Sequence, residues 1–169
     1  KSAGVVNMFP HTAHVESIAV FAPDGRMHLW NRRFARDWEL DSEFLDIHPH
    51  IETLEPGRCV VSLRQRRRIQ NHIGTVHAIA MCNAAELAAG LATDVTIPGA
   101  MRWIPKGMSV RYLKKALGVL TATARVDPVA DDASARELHA NVVVRDASDE
   151  IVFDADITMW ISPRGSAQA

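Results

Sequence analysis

Residues 75–93 read TVHAIAMCNAAELAAGLAT, and this stretch decides the fold. Alanine, the best helix former, is its commonest residue, and apolar side chains would lie on nearly every face of the helix. A helix of that kind is buried rather than laid on a surface. The rest of the chain must therefore supply an element large enough to cover it.

Runs of alternating apolar residues on both sides of the helix predict strands. Upstream, residues 47–54 and 58–66 flank the turn Glu55-Pro56-Gly57 and predict a hairpin. Downstream strands are predicted at residues 102–113, 118–126, 137–145 and 151–161. The last two strands, joined by a short polar loop, should pair antiparallel. Only a sheet can bury the helix, so the sequence predicts an α+β domain with an antiparallel sheet around one central helix.

The N-terminal part is harder to interpret. Residues 27–40 carry apolar side chains at spacings of three and four, which predicts a helix. We therefore divide the chain into an N-terminal extension with one helix at residues 1–45, a main domain at 46–164 and a tail at 165–169.

Composition excludes several classes of protein. The chain has 169 residues, 47% of them apolar and 23% charged, which is an ordinary globular balance. With 19 basic and 20 acidic residues, the net charge of −1 gives no bulk attraction to nucleic acid. No apolar stretch is expected to reach the ~20 residues of a membrane span. Two cysteines, Cys59 and Cys82, allow one disulfide but favour two buried thiols. We expect a cytoplasmic protein with no nucleic-acid or membrane partner.

The candidate chemistry centres on Glu86, a carboxylate inside the apolar helix. Such a group is costly to bury unless it is paired, hydrated or facing a cleft. Asn71 lies in the polar run before the helix, 15 positions earlier. One chain holds these two residues apart, so they could converge only across an interface between two chains. The alternative is that Glu86 is a salt-bridged or surface residue.

The pattern Asn71-x-x-Gly74-x-x-His77, with Glu86 nine residues later, resembles the hotdog-fold acyl-CoA thioesterases of the phenylacetate-degradation type. The segment Ser109 to Ala116 resembles the third strand of that family. The likeness covers residues 47–163 and is closest to an uncharacterised, DUF4442-like branch of the superfamily.

The resemblance implies a hotdog fold, an acyl-CoA substrate and a homodimer, with tetramers common in the family. It assigns Glu86 as general base or nucleophile and Asn71 as the group that positions water or substrate. The backbone near His77 and Ala78 would bind the oxyanion, which suits the unpaired N–H groups of a helix start. His77 is a third catalytic candidate, or else only a helix cap. Ala78 and Ile79 stand where the family has two glycines, and Lys114-Lys115 replaces an Arg-Pro pair.

Basic residues form a second candidate group. If residues 58–68 are one strand, Arg64, Arg66 and Arg68 share a face. They are either a charged, solvated sheet edge or a docking surface for the phosphates of coenzyme A. Binding of RNA is a third option, with little aromatic support. The candidates for binding coenzyme A are Ala78, Arg66, Arg68, Arg111, Lys114 and Lys115.

No cofactor is expected, and coenzyme A enters only as part of the substrate. The pairs His48-x-His50 and His72-x4-His77 lack the companion ligands of a zinc site, so no metal is expected. The resemblance thus implies an acyl-CoA (thioester) hydrolase in which a carboxylate assists the attack of water on the thioester. The alternatives are a non-catalytic acyl- or lipid-binding hotdog protein and an acyl-CoA dehydratase or isomerase.

Overall fold

The computed structural model describes residues 47–130, 132 and 134–164, together with the backbone of three strands nearer the N-terminus. Those three strands form an antiparallel sheet: β1 (Gly4–Asn7), β2 (Ile18–Phe21) and β3 (Met27–Trp30). The main domain has one helix, α1 (Ala78–Thr96), preceded by a single 3-10 turn at Arg67–Ile69. Its strands are β4 (His50–Glu55), β5 (Arg58–Arg64), β6 (Met101–Tyr112), β7 (Val119–Val126), β8 (Arg136–Arg145) and β9 (Ile151–Pro163).

The main sheet has six strands in the order β4-β5-β7-β8-β9-β6, and every pair is antiparallel. Both predicted hairpins, β4–β5 and β8–β9, are confirmed. The last position is taken by β6, which crosses over from the other side of the sheet to pair with β9. Consequently, β6 is a 12-residue edge strand whose far side has no neighbour within the described sheet.

The core lies between the concave face of the sheet and α1. Ala80, Ala84, Ala88 and Ala92 recur every four residues and have no exposed surface. Because their side chains are small, the helix approaches the sheet closely. The sheet contributes alternate residues of each strand, such as Leu120, Ala122 and Ala124 of β7. The prediction of a hotdog-type sheet around one buried helix is therefore confirmed.

Two predictions about helices need correction. The predicted helix at residues 27–40 is wrong over Met27–Trp30, which is strand β3 paired with β2. The remainder of that prediction lies outside the described residues. The sequence predicts the central helix at 75–93, but the helix begins at Ala78 and ends at Thr96. It starts late because the backbone of Thr75 is hydrogen-bonded into the loop before it, to Asn71.

By length and composition alone, α1 could cross a membrane, contrary to the expectation that no stretch is long and apolar enough. Most of the helix is buried against the sheet, however, and a core helix passes the same test.

Candidate functional site

Two backbone N–H groups at the start of α1 have no hydrogen-bond acceptor within the part of the chain that the structure describes. The N–H of His77 donates to the carbonyl of Ile69 at 2.9 Å. The N–H of Ala80 donates to the Nδ1 of His77 at 3.0 Å. Among the described residues, nothing accepts from the N–H groups of Ala78 and Ile79. Helix-start N–H groups favour negative charge, so this pair suits an oxyanion.

His77 is the N-cap of the helix, which confirms the helix-cap interpretation of this residue. Its Nδ1 accepts a hydrogen bond, so the ring proton of the neutral imidazole lies on Nε2. The residue therefore has a defined structural task. Its catalytic assignment stays a prediction.

Asn71 organises the loop before the helix. Its Oδ1 accepts from the N–H of Ile73 at 3.1 Å and of Thr75 at 3.0 Å. Its Nδ2 donates to the Oγ1 of Thr75 at 2.7 Å. Gly74 adopts a φ of +78°, which lets the loop turn. One Nδ2 hydrogen remains beyond these bonds, and it is the only part of this side chain left to meet a ligand.

A cleft of about 290 Å³ opens beside these groups. Its walls are the loop before α1, the first turn of α1 and the segment that follows β6. Its lining residues are Asn71, Thr75, Val76, Ala78, Met81, Tyr112, Leu113, Lys114, Lys115 and Ala116. Four predicted site residues are thus brought together: Asn71, Ala78, Lys114 and Lys115. The other five, His77, Glu86, Arg66, Arg68 and Arg111, do not line it.

Glu86 lies two helical turns beyond Ala78, about 12 Å along the axis. It is exposed, which removes the cost of burying its carboxylate. On the same helix face, Cys82 and Asn83 are half-buried and Ile79 is exposed. This open face borders the β6 edge of the sheet. One chain alone therefore does not unite Glu86 with the cleft, in keeping with the spacing argument from the sequence.

Tyr112 is a site residue that the sequence analysis missed. Its hydroxyl lies 3.2 Å from the Sγ of Cys82, and its ring centroid is 5.4 Å from that of buried Phe153. The hydrogen bond with Cys82 raises the pKa of Tyr112 to about 12. Cys82 and Tyr112 are 30 positions apart, so no local pattern pairs them. The single available signal was that this is the chain's one tyrosine.

Gln65 holds the basic segments around the cleft. Its backbone N–H donates to the carbonyl of Gly118 at 2.8 Å, and its Nε2 donates to that of Gly74 at 2.7 Å. Its Oε1 accepts from the N–H of Gly118 at 2.7 Å. The arginines that flank Gln65 thereby share one end of the domain with Lys114 and Lys115.

The basic residues themselves differ in their pairing. Lys114 pairs with Glu150 at 2.7 Å, whereas Arg66 and Lys115 have no ion-pair partner among the described residues. Arg111 makes a bidentate pair with Asp154 on the outer face of the sheet, at 2.6 and 2.8 Å. That pairing raises the pKa of Arg111 and takes its guanidinium away from the cleft.

The prediction that Arg64, Arg66 and Arg68 share a strand face is wrong. Strand β5 ends at Arg64, and the chain then enters the 3-10 turn at Arg67–Ile69. The end of the domain that carries Arg66, Arg68, Lys114 and Lys115 is positive for another reason, which is the lack of acidic residues in the surrounding sequence. Residues 56–85 and 95–126 contain no aspartate or glutamate, although the whole chain is nearly neutral.

Neither cysteine forms a disulfide. Cys59 is buried, which raises the pKa of its thiol to about 12. Cys82 is only half-buried, so the expectation of two buried thiols holds for Cys59 alone. Within the described part of the chain, no cluster of three or more His, Cys, Asp or Glu side chains is placed to hold a metal ion.

Comparison with solved structures shows the same fold in other proteins. A structural-genomics crystal structure, genomics APC5556, is 44% identical, with a TM-score of 0.68 over 78% of this chain and 87% of that one. A protein of unknown function, probable thioesterase, from Pseudomonas aeruginosa is 24% identical, with a TM-score of 0.67 over 83% of this chain and 100% of that one. A thioesterase from Haemophilus influenzae is 11% identical, with a TM-score of 0.66 over 86% and 99%. At these two lower identities the likeness shows the fold alone.

Curated relatives match only a short piece of the chain. The 23S rRNA (uracil(1939)-C(5))-methyltransferase of Nitrosospira multiformis is 86% identical over 21 residues, and that of Burkholderia thailandensis is 79% identical over 24 residues. These pieces are 12% and 14% of this chain, which spans about 5% of the length of each relative.

The family comparison covers most of the domain. The model of a domain of unknown function, DUF4442, matches residues 42–161, which include the whole six-stranded sheet except the last strand's end, together with α1 and the cleft. The chain therefore belongs to the DUF4442 family.

Proposed function

We propose that the chain is a homodimeric hydrolase of acyl-CoA thioesters. The observation that carries this proposal is the pair of N–H groups at Ala78 and Ile79, which have no acceptor among the described residues. Ala78 lines a cleft with a basic rim. Such donors stabilise the oxyanion of acyl transfer. The hotdog fold shared with thioesterases supports the same reaction class.

The edge strand β6 supports the proposal of a dimer. Its unpaired backbone could join the β6 of a second copy, which would remove the exposed edge. Exposed apolar side chains lie on this strand and directly after it, among them Met108, Tyr112 and Leu113. A two-fold interface buries the same patch on both copies. It would also bring the open face of each α1, with Glu86, towards the partner, and pairs of dimers could form a tetramer.

The chemistry needs a base, an oxyanion site and a water. The thioester carbonyl oxygen would accept from the N–H of Ala78. The partner subunit's Glu86 would take a proton from a water molecule while the oxygen of that water attacks the carbonyl carbon. Collapse of the tetrahedral intermediate expels the coenzyme A thiolate, which receives the proton, and leaves a carboxylic acid. Asn71 would orient the water through its remaining Nδ2 hydrogen.

The basic rim would hold the phosphates of coenzyme A. Lys115, which lines the cleft, and Arg66, outside its lining, are the most available, since neither has an ion-pair partner among the described residues. Arg68 and Lys114 would assist, and Lys114 would exchange its bond to Glu150 for a phosphate. Arg111 is bound to Asp154 and is not included. We propose that the protein needs no other cofactor and works in the cytoplasm.

One observation favours a second candidate function, non-catalytic acyl binding. The side chain of Asn71 already makes three hydrogen bonds within its own loop. In addition, Glu86 does not line the cleft of its own chain. A dimer that failed to bring Glu86 to the cleft would bind a thioester without cleaving it.

Substitution of Glu86 separates the two functions. Glu86→Gln keeps the size of the side chain and removes the base, so hydrolysis of an acyl-CoA panel should fall by about 10²–10⁴. Release of free thiol is the measurement. Glu55→Gln, at the exposed β4–β5 turn, is the matched control and should keep full activity. Binding without thiol release in every protein, including the wild type, would replace hydrolysis by the second function.

A further inference from the structure

We propose that Tyr112 sets the length of the acyl group, as a wall that closes the cleft between strand β6 and helix α1. The inference rests on the proposed function, because it takes the cleft to bind acyl thioesters. It adds a substrate class, thioesters with a short acyl chain, and names the residue that selects them.

The side chain of Tyr112 spans the gap between the sheet and the helix. Its ring packs at a tilt of 57° against buried Phe153, with the centroids 5.4 Å apart. Its hydroxyl reaches the Sγ of Cys82 at 3.2 Å. Cys82 lies one helical turn beyond Ala78, so the bridge stands directly past the proposed oxyanion site. A ring fixed at both ends closes the cleft on the side that leads towards Glu86.

The cleft is polar at one mouth and apolar within. Lys114 and Lys115 mark the basic mouth, where the carrier would bind. Val76, Met81 and Ala116 line the interior and are almost completely buried. An acyl chain attached to a thioester at Ala78 would therefore lie on this apolar floor and end against Tyr112.

The described residues behind that floor are closely packed. Ala80, Ala84 and Ala88 of α1 have no exposed surface and pack directly on the sheet. A well-packed core does not open to admit methylene groups. A longer acyl chain could pass only by displacing the Tyr112 ring towards the open helix face.

Binding of alkyl-CoA thioethers, which resemble the substrate but cannot be hydrolysed, tests the wall directly. The wild-type affinity should rise from ethyl to a short alkyl chain and then stop rising. Tyr112→Ala should move this limit to longer chains, with about tenfold tighter binding for every two methylenes newly accommodated. Tyr112→Leu, which keeps an apolar contact to Phe153, should move it by less and serves if the alanine variant does not fold. Tyr112→Phe should keep the limit near that of the wild type.

Ile104→Ala is the matched control, since Ile104 is an exposed apolar residue of the same strand and does not line the cleft. Its length profile should be that of the wild type. Identical profiles for the wild type, Tyr112→Ala and Tyr112→Leu would overturn the wall, and so would a wild type that binds no thioether. If the length limit moves as expected but none of the proteins cleaves acyl-CoA, the role of Tyr112 is supported and the proposed hydrolase activity is contradicted.

Discussion

The two ends of helix α1 are treated very differently by the rest of the molecule. At the C-terminal end the polar groups are matched: Thr96 accepts from the N–H of Gly57 at 2.8 Å, and Trp103 donates to Asp94 at 3.0 Å. A second apolar cluster, Ile97, Met101 and Ile161, seals this end. At the N-terminal end, beside a cleft, two N–H groups have no acceptor among residues 47–164 as far as the structure describes them.

The difference teaches where to look for function in a small domain. Buried backbone groups almost always find partners, so a helix end without partners is tolerated only where water or a ligand can supply them. In the proposed function, the same helix is a scaffold at Thr96 and a binding site at Ala78. Predictions that change one end and leave the other intact test this distinction.

The largest effect is expected from Ala78→Pro. Proline is well accepted at the first position of a helix, and it removes only the N–H at issue. The extended backbone of His77, with φ −74° and ψ 155°, already suits a residue before proline. Hydrolysis should fall by about 10²–10³, as when one oxyanion donor is lost. The free energy of unfolding should change by less than about 0.5 kcal/mol.

Ala78→Gly is the control, because it keeps the N–H and introduces the residue found in the resembling family. Its activity should stay near that of the wild type. An Ala78→Pro variant that folds and cleaves thioesters at the wild-type rate would remove the oxyanion role from this helix end.

The sequence predicted the parts of this comparison that local patterns encode. Alternation placed the strands of the main sheet, and alanine content identified α1 as a buried helix. The prediction failed at the short run Met27–Trp30 because four residues fit a helical and a strand period equally well, and pairing with β2 decided between them.

The candidate site was less predictable because long-range contacts build it. Gln65 reaches Gly118 across 53 positions, and Tyr112 reaches Cys82 across 30. The exposure of Glu86 follows from β6 being an edge strand, which leaves one face of α1 uncovered. Nothing in residues 78–96 themselves carries that information.

A smaller effect, on the free energy of unfolding, is expected from Asp94→Asn at the C-terminal end of α1. Burial raises the pKa of Asp94, against the opposing influence of its bond from Trp103 and the charge of Arg164. A raised folded-state pKa stabilises the fold below the unfolded value of about 3.9, and this contribution is lost as pH rises through the folded value. The variant keeps an acceptor for Trp103 and removes the charge. At pH 7 it should therefore be more stable than the wild type, by a free energy of unfolding on the order of 1 kcal/mol.

Urea unfolding at neutral and acidic pH measures this difference, which should shrink as the wild-type carboxyl becomes protonated. Asp94→Ala removes the acceptor as well and should cost about 1–3 kcal/mol in the free energy of unfolding, since the bond from the Trp103 indole to Asp94 is then lost. Thioester hydrolysis should be the same in both variants, because this end of α1 holds no part of the cleft. An Asp94→Asn protein that is less stable at neutral pH would show that the charge, with Arg164, holds this end together.

The smallest effect is expected on the titration of Tyr112, near the N-terminal end of α1, and it should leave the free energy of unfolding almost unchanged. Tyr112 is the one tyrosine of the chain, so the ultraviolet absorbance of phenolate reports on it alone. With its pKa raised to about 12 by the hydrogen bond to Cys82, it should remain mostly protonated at about pH 10, where an ordinary tyrosine is half ionised. Cys82→Ala removes that bond and should lower the titration midpoint, whereas Cys59→Ala, in the buried core, should leave it unchanged. A wild-type midpoint near that of an ordinary tyrosine, which Cys82→Ala does not move, would mean that the ring is not tied to the helix, and the open end would then lack the fixed boundary that gives it selectivity.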